Sequence, residues 1–304
     1  MTIQQCKYVM KIAKTGSFSE AAKQLFIAQS SLSISIKQLE QELGIKIFER
    51  SGNGVYLTNE GEEFVSYATH ICESHDFIAD RYSNRNIQKR LYIATQHYDF
   101  IADIFGNFLK KFDSDRYHFL IREIETYNVI RDVETGHCDI GIIAIKDGDY
   151  DVMKRYLGNK KLTFEKLLIA SPHVFLRKEH PLVSSSRLAN SDLKKYPYVS
   201  YEQGEHNSSF FTEELTDMSY IDRHIEISDR ATLMNVLMLT DSYTIGTGIM
   251  PSALNKGDIV SVPFESKESY IIGYLLNDER KISEVTQAFI NQLENTIIRK
   301  ELTQ

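Results

Sequence analysis

The sequence predicts an α/β protein with a helix-rich N-terminal part, and three observations lead to that class. Beyond residue 88, strand-like apolar runs alternate with helical stripes, the order of a mostly parallel sheet covered by helices. Before residue 60 the apolar spacing is helical three times, and a short hairpin pattern follows. A chain of 304 residues also exceeds what one core usually serves, so more than one domain is expected.

Composition fits a globular protein: 42% hydrophobic, 25% charged and 5 Pro. No apolar run approaches the roughly 18 to 20 residues of a membrane span, and the opening MTIQQCKYVMKIAKTGSFSE is too polar for a signal peptide. A cytosolic protein is expected. Cys6, Cys72 and Cys138 are widely spaced and form no C-x-x-C pair, so they read as buried thiols rather than a disulfide or zinc framework. The net charge is -7, but residues 1–60 hold six Lys and one Arg against five Glu, a net +2 that leaves -9 for the other 244. A basic module on an acidic body is compatible with DNA binding at one end.

The first helix carries Ile3, Cys6, Val9/Met10 and Ala13 and ends at Thr15-Gly16. Ser17-Phe18-Ser19-Glu20 has the form of a capping box opening a second helix, in which Ala21 and Ala22 permit close crossing. The stretch S-S-L-S-I-S-I at 30–36 alternates like a strand. As a helix, however, Leu32, Ile36, Leu39 and Leu43 form one continuous stripe, which accounts for more residues. Gln29, Ser30, Ser33, Ile34 and Lys37 then lie off the stripe. Two readings share this pattern: a helix-turn-helix whose outer face enters a major groove, and a three-helix packing motif with a solvated face.

Ile45–Phe48 and Val55–Leu57 flank a glycine-containing loop and read as a hairpin, or wing. Thr58 caps a long helix that has Glu60, Glu62 and Glu63 in its first turn. Phe64, Ala68, Ile71, His75, Ile78 and Tyr82 recur at alternating steps of four and three, the expected seam of a helix packed along a partner, its own copy in a dimer. Past Asn84-Arg85-Asn86 come a strand at Leu91–Ala94, a helix with Ile101, Ile104, Phe108 and Phe112, a strand at His118–Ile124, a helix closed by Gly136 and a strand at Cys138–Ala144. A second α/β unit follows, with one long strand Lys166–Leu176, then Tyr198–Tyr201, His224–Ile227, a helix at 233–240 and Tyr243–Gly246. Tyr270–Leu275 and a last helix through Leu293 close the chain. Two such units leave a cleft suited to small ligands.

Ala21-Ala22, Gln29, Leu32-Ser33, Ile36, Leu39-Glu40, Leu43-Gly44, Phe48-x-Arg50, Leu57-Thr58 and Gly61 together resemble the LysR-type transcriptional regulators. Gly136-x-x-Asp139-Ile140-Gly141-Ile142 is similar to that family's effector domain. The resemblance implies a winged helix-turn-helix at 1–59, a dimerising linker helix at 60–88 and a two-lobed, periplasmic-binding-protein-like (type 2) effector domain at 89–304. Lobe I is expected at 89–164 and 268–304, and lobe II at 165–267. It further implies a homotetramer on double-stranded promoter DNA, contact with RNA polymerase, a small-molecule effector and no cofactor, metal or catalysis.

Carried over residue by residue, the resemblance places Gln29, Ser30, Ser33 and Ile34 toward bases and Ser17, Lys37 and Arg50 on phosphates. Ala28-Gln29-Ser30 stands where the family often has Ser-Gln-Pro, so the capping hydroxyl is missing at 28, and Ser30 is an alternative cap. Effector contacts are expected from Thr95, Gln96, His97 and Tyr98, from Tyr201 and Glu202 with Gln203, and from Gly246 and Thr247. Thr95, Gln96 and the adjoining helix start suit a small anion. Thr-Gln-His-Tyr also resembles the CysB-like branch, which implies an effector from sulfur, cysteine or methionine metabolism. A solute-binding protein would share the lobes but has no use for residues 1–60. An enzyme would need a motif such as G-x-S-x-G or a phosphate loop, and neither occurs.

Overall fold

A computed structural model describes residues 1–51, 54–83, 89–114, 116–202, 204, 210–211, 213, 221–249 and 257–301. The wing tip at 52–53, the break at Asn84–Asn86 and Gln203 lie outside these residues, as do the side chains of Arg50 and Tyr82. The chain divides into two units, Met1–Asn86 and Ile87–Gln304.

In the first unit, α1 (Ile3–Thr15) opens with a reciprocal capping box between Thr2 and Gln5. Ser17 caps α2 (Phe18–Gln24) by accepting from the Glu20 N–H. Only half of the expected second box forms, because the Glu20 carboxylate takes a hydrogen bond from Gln24 Nε2 at 2.9 Å instead. The disputed stretch is helical, α3 (Gln29–Leu43). Leu32, Ile36 and Leu39 bury against Val9, Ile12, Ala21, Ala22, Ile47 and Phe48. Leu43, the fourth member of the expected stripe, is 38% exposed, since the helix stops there at Gly44 with φ 69°.

The hairpin pairs β1 (Phe48–Ser51) with β2 (Gly54–Leu57), three residues later than expected on its first arm. Ile45–Ile47 are drawn out of the ladder because Glu40 of α3 accepts from the Ile47 N–H at 2.8 Å and the Phe48 N–H at 3.3 Å. Thr58 caps α4 (Asn59–Ser83), accepting from the Gly61 N–H at 2.9 Å. Gly61 has to be glycine: a Cβ there would lie 2.1 Å from the Ile47 carbonyl oxygen.

The second unit holds a five-stranded sheet of order β4-β3-β5-β12-β6. β3 (Lys89–Thr95), β4 (Tyr117–Glu123) and β5 (Ile140–Lys146) run parallel, with α5 (Asp99–Lys111) and α6 (Thr126–Thr135) as their crossovers. α7 (Tyr150–Asn159) leads to β6 (Leu162–Ala170). β6 and β12 (Tyr270–Asn277) add antiparallel, so the sheet is mixed rather than mostly parallel. α10 (Glu284–Glu301) packs Phe289 and Leu293 against Phe108 and Ile104 of α5.

The expected long strand Lys166–Leu176 is two strands in two sheets. It breaks at Ser171-Pro172, where proline cannot donate to a ladder, and resumes as β7 (His173–Arg177). β6 therefore belongs with the first lobe. β7 lies between β10 (Thr244–Gly246) and β11 (Ile259–Pro263), antiparallel to both. After the short α8 (Asn190–Leu193), β8 (Tyr198–Tyr201) pairs in parallel with β9 (His224–Ile227), and α9 (Arg230–Leu239) covers them. No helix among the described residues is long and apolar enough to cross a membrane.

Candidate functional site

Helix α3 separates a buried face from an outer one. Gln29, Ser30, Ile34 and Lys37 are exposed and Ser33 is half-buried. Ile34 is 58% exposed while Leu32 and Ile36, two residues to either side, are buried, so the period-2 look of the stretch comes from one apolar residue left outside the core. Ala28 occupies the N-cap without a side-chain bond, and Ser30 lies inside the helix rather than capping it. Ser17 is half-buried and engaged as the cap of α2. The backbone of Arg50 pairs with Val55 in the hairpin.

One further residue, Phe26, was not legible in the sequence. It stands in the turn between α2 and α3 with φ 55° and is 94% exposed. A phenylalanine that is both in the left-handed region and fully solvated gains nothing for folding from either circumstance. Its apolar character alone carried no signal, because the turn conformation is needed to see the conflict.

The expected seam on α4 divides between two faces. Phe64, Ala68 and Cys72 pack inside the unit on Ile3, Cys6 and Met10 of α1. Ile71 and Ile78 point outward, together with Tyr67, which the stripe had not included. Tyr67, Ile71, Leu43 and Ile45 border a cavity of about 350 Å³ on the surface of the unit. His75 is exposed, with Nδ1 2.9 Å from Asp76, whose carboxylate also binds Lys7 at 2.7 Å.

In the second unit the expected effector residues separate by role. Thr95 is fully buried and donates to the Gln96 carbonyl at 2.9 Å. Gln96, also buried, accepts from the Ala144 N–H at 2.7 Å and from the Tyr98 hydroxyl, and its amide nitrogen donates to Thr126. Gln96 thereby ties the end of β3 to β5 and α6, and neither it nor Thr95 is among the residues that line the cavity between the lobes. Glu202 is exposed and lines no described cavity. His97, Tyr98, Tyr201, Gly246 and Thr247 do meet, around an inter-lobe cavity of about 60 Å³ whose walls include Phe175, Leu233 and Met234.

Two polar links join the lobes at or beside this cavity. His97 Nδ1 lies 3.0 Å from Glu213 Oε2, its backbone N–H donates to the same oxygen at 3.3 Å, and its ring stacks on Tyr201 with centroids 3.9 Å apart. Arg230, the first residue of α9, binds Asp99 and Glu123 of the first lobe, each at 2.9 Å. Asp99, Glu123, Glu213 and Arg230 were not legible from sequence, since Glu213 is 116 residues from His97 and Arg230 131 from Asp99. Burial pulls the His97 imidazole down, but its hydrogen bond to the Glu213 carboxylate and the charges of Glu213, Glu123 and Glu125 outweigh that and hold it above the ordinary histidine value. Burial raises the Asp99 carboxyl against the opposing pull of Arg230. It raises the Tyr201 hydroxyl strongly.

A helix-turn-helix with a polar outer face and a two-lobed domain with a lined cavity define a DNA-binding regulator that answers to a small ligand. The chain belongs to the LysR family of bacterial transcriptional regulators. Residues 3–62 match the family described as a bacterial regulatory helix-turn-helix protein of the lysR family, and residues 88–297 match the LysR substrate binding domain. It is 23% identical to the HTH-type transcriptional activator CmpR of Synechocystis sp., over 96% of this chain and 94% of that one. It is 28% identical to the regulator AlsR of Bacillus subtilis over 66% of this chain and 64% of that one. It is 26% identical to CysB of Haemophilus influenzae over 67% of this chain and 62% of that one. The fold is shared with CbnR solved in complex with its target DNA, with a TM-score of 0.65 at 16% identity over 97% of this chain and all of that one. The chain is a regulator and not an enzyme.

Proposed function

We propose that α3 enters the major groove of promoter DNA, with Gln29 pairing to adenine, Ser30 and Ser33 near base edges and Ile34 against a thymine methyl. Ser17, Lys37 and Arg50 hold phosphates and so fix the register. Ile34 carries this reading: an isoleucine kept out of the core on an otherwise polar face is suited to an apolar contact outside the chain. Phe26, next to that face in sequence and held in a costly conformation, belongs to the same contact surface.

The protein works as a dimer through the outward residues of α4, with His75, Ile78 and Tyr82 continuing the seam, and as a homotetramer that acts on RNA polymerase at the promoter in the cytosol. The exposed Ile71 and Ile78 support the dimer. A small metabolite between the lobes alters the lobe angle and thereby DNA binding or bending. The likeness of Thr95–Tyr98 to the CysB branch supports a sulfur metabolite, but CmpR and AlsR are comparably similar to this chain, and the charges of the site are the better guide.

A gel shift with the DNA upstream of its own gene tests the regulator reading. Binding should weaken with salt at a log–log slope of about -0.9 per neutralised phosphate. No binding to that or neighbouring promoters at low salt would end it.

A further inference from the structure

We infer that the ligand taken between the lobes bears a positively charged nitrogen on an apolar body, and not the carboxylate that Thr95 and Gln96 suggested. The inference rests on the proposed effector role of this cavity and specifies the chemistry it selects.

An anion in such a cleft needs open helix N-termini or uncommitted cations. The three helices that begin near this cavity have carboxylates of the chain at their N-termini, which disfavour a second anion there, although only α9 is capped by its carboxylate. Asp99 is the first residue of α5, Glu125 is the N-cap residue of α6, and Asp229 caps α9 by accepting from the Thr232 N–H at 2.9 Å. Arg230, the guanidinium at the site among the described residues, is committed to Asp99 and Glu123. His97 is committed to Glu213. Asp99 and Glu213 line the cavity, and Glu123, Glu125 and Asp229 lie within electrostatic reach of His97, against one guanidinium and one imidazole, so the surroundings of the cavity are net negative whichever way His97 titrates. These acidic groups do not define a site; the cavity between the lobes does, and they set the sign of what enters it.

The geometry also indicates where the charge goes. At about 60 Å³ the cavity lies well under the roughly 300–1,000 Å³ of pockets that take small molecules, so a ligand with an apolar body enters by parting the link between His97 and Glu213. A cationic nitrogen then takes the imidazole's place on the Glu213 carboxylate. The face of Tyr201 that the His97 ring now covers offers cation–π contact once the imidazole has moved, and Phe175, Leu233 and Met234 cover the apolar body. The ligand competes with protonated His97, whose ring is faced by Glu213 and Tyr201 from the second lobe, by Glu123 and Glu125 from the ends of β4 and α6, and by Asp229 at α9. Raising the pH discharges the imidazole and removes the competitor.

Matched pairs of opposite charge test this with the full-length protein: phenethylamine against 3-phenylpropionate, and cadaverine against glutarate. Thermal shift and calorimetry near pH 6 and near pH 8 report binding, and a gel shift on the upstream DNA reports the response. The expected result is that at least one amine binds, more tightly at the higher pH, while its carboxylate partner does not. Glu213→Gln should weaken the amine about tenfold or more, and His97→Gln should abolish the pH dependence while retaining binding. The pH dependence of the unmodified protein keeps the test decisive if a variant folds poorly. Binding of either carboxylate in preference to its amine, or of neither amine at either pH, overturns the inference. Loss of DNA binding without any probe would instead overturn the regulator reading, whatever the probes do.

Discussion

Replacing Ile34 and Ile36 by alanine, one at a time, separates a contact surface from a core. Each change deletes three carbons, and full burial is worth about 0.8 kcal/mol per methylene. Ile36 is 2% exposed, so its change loses the whole transfer energy plus a cavity cost, about 3 kcal/mol together. Ile34 is 58% exposed, so less than half of its transfer energy is at stake, about 1 kcal/mol. Alanine's higher helix propensity returns about 0.4 kcal/mol, leaving a net loss near 0.5 kcal/mol. Thermal melting should therefore show a clear drop for Ile36→Ala and almost none for Ile34→Ala. Selection of binding sites from random DNA should show the reverse, with base preference relaxed at one or two positions for Ile34→Ala. If Ile34→Ala melts as low as Ile36→Ala, the outer face of α3 is misassigned.

Other consequences are equally open to measurement. Phe26→Gly should raise stability by about 0.5–1 kcal/mol by relieving the left-handed strain of φ 55°, yet weaken promoter binding in a gel shift. Gly61→Ala forces a methyl against the Ile47 carbonyl 2.1 Å away, and it should cost about 3 kcal/mol or more in melting of the first unit. His97 has a raised folded pKa, so its link to Glu213 stabilises fully below the ordinary histidine value and is lost as pH rises through the folded one. Melting of the second unit should fall across that window, and His97→Gln should flatten the slope. Ile71→Glu with Ile78→Glu should lower the sedimentation coefficient by breaking the dimer, while the melting of α1 against α4 changes little because Phe64, Ala68 and Cys72 make that contact.

What the sequence determined by itself was local. The stripe Leu32, Ile36, Leu39 repeats within one helix and needs no partner to be read, so it outweighed the alternating serines. The caps at Ser17 and Thr58 lie three residues from their donors, and both formed. The alternation of strands and helices from residue 89 to 146 likewise survives as β3 to β5 with their crossovers.

Tertiary structure decided whatever depended on distant residues. The α4 stripe was read as a single seam, but α1 covers Phe64 and Ala68, which turns Tyr67, Ile71 and Ile78 outward. Lys166–Leu176 looks continuous in sequence, yet its halves pair with β12 and with β10 and β11, because hydrogen-bond partners rather than apolar character assign a strand to its sheet. Thr95 and Gln96 are polar residues at a strand end, a pattern that suits ligand binding and strand tying equally; only the closeness of Ala144, Tyr98 and Thr126 separates the two. The charge of the cavity was hidden for the same reason. Asp99, Glu123, Glu213 and Arg230 are unremarkable apart, and it is the folding of two lobes onto one cleft that makes their electrostatic energies add.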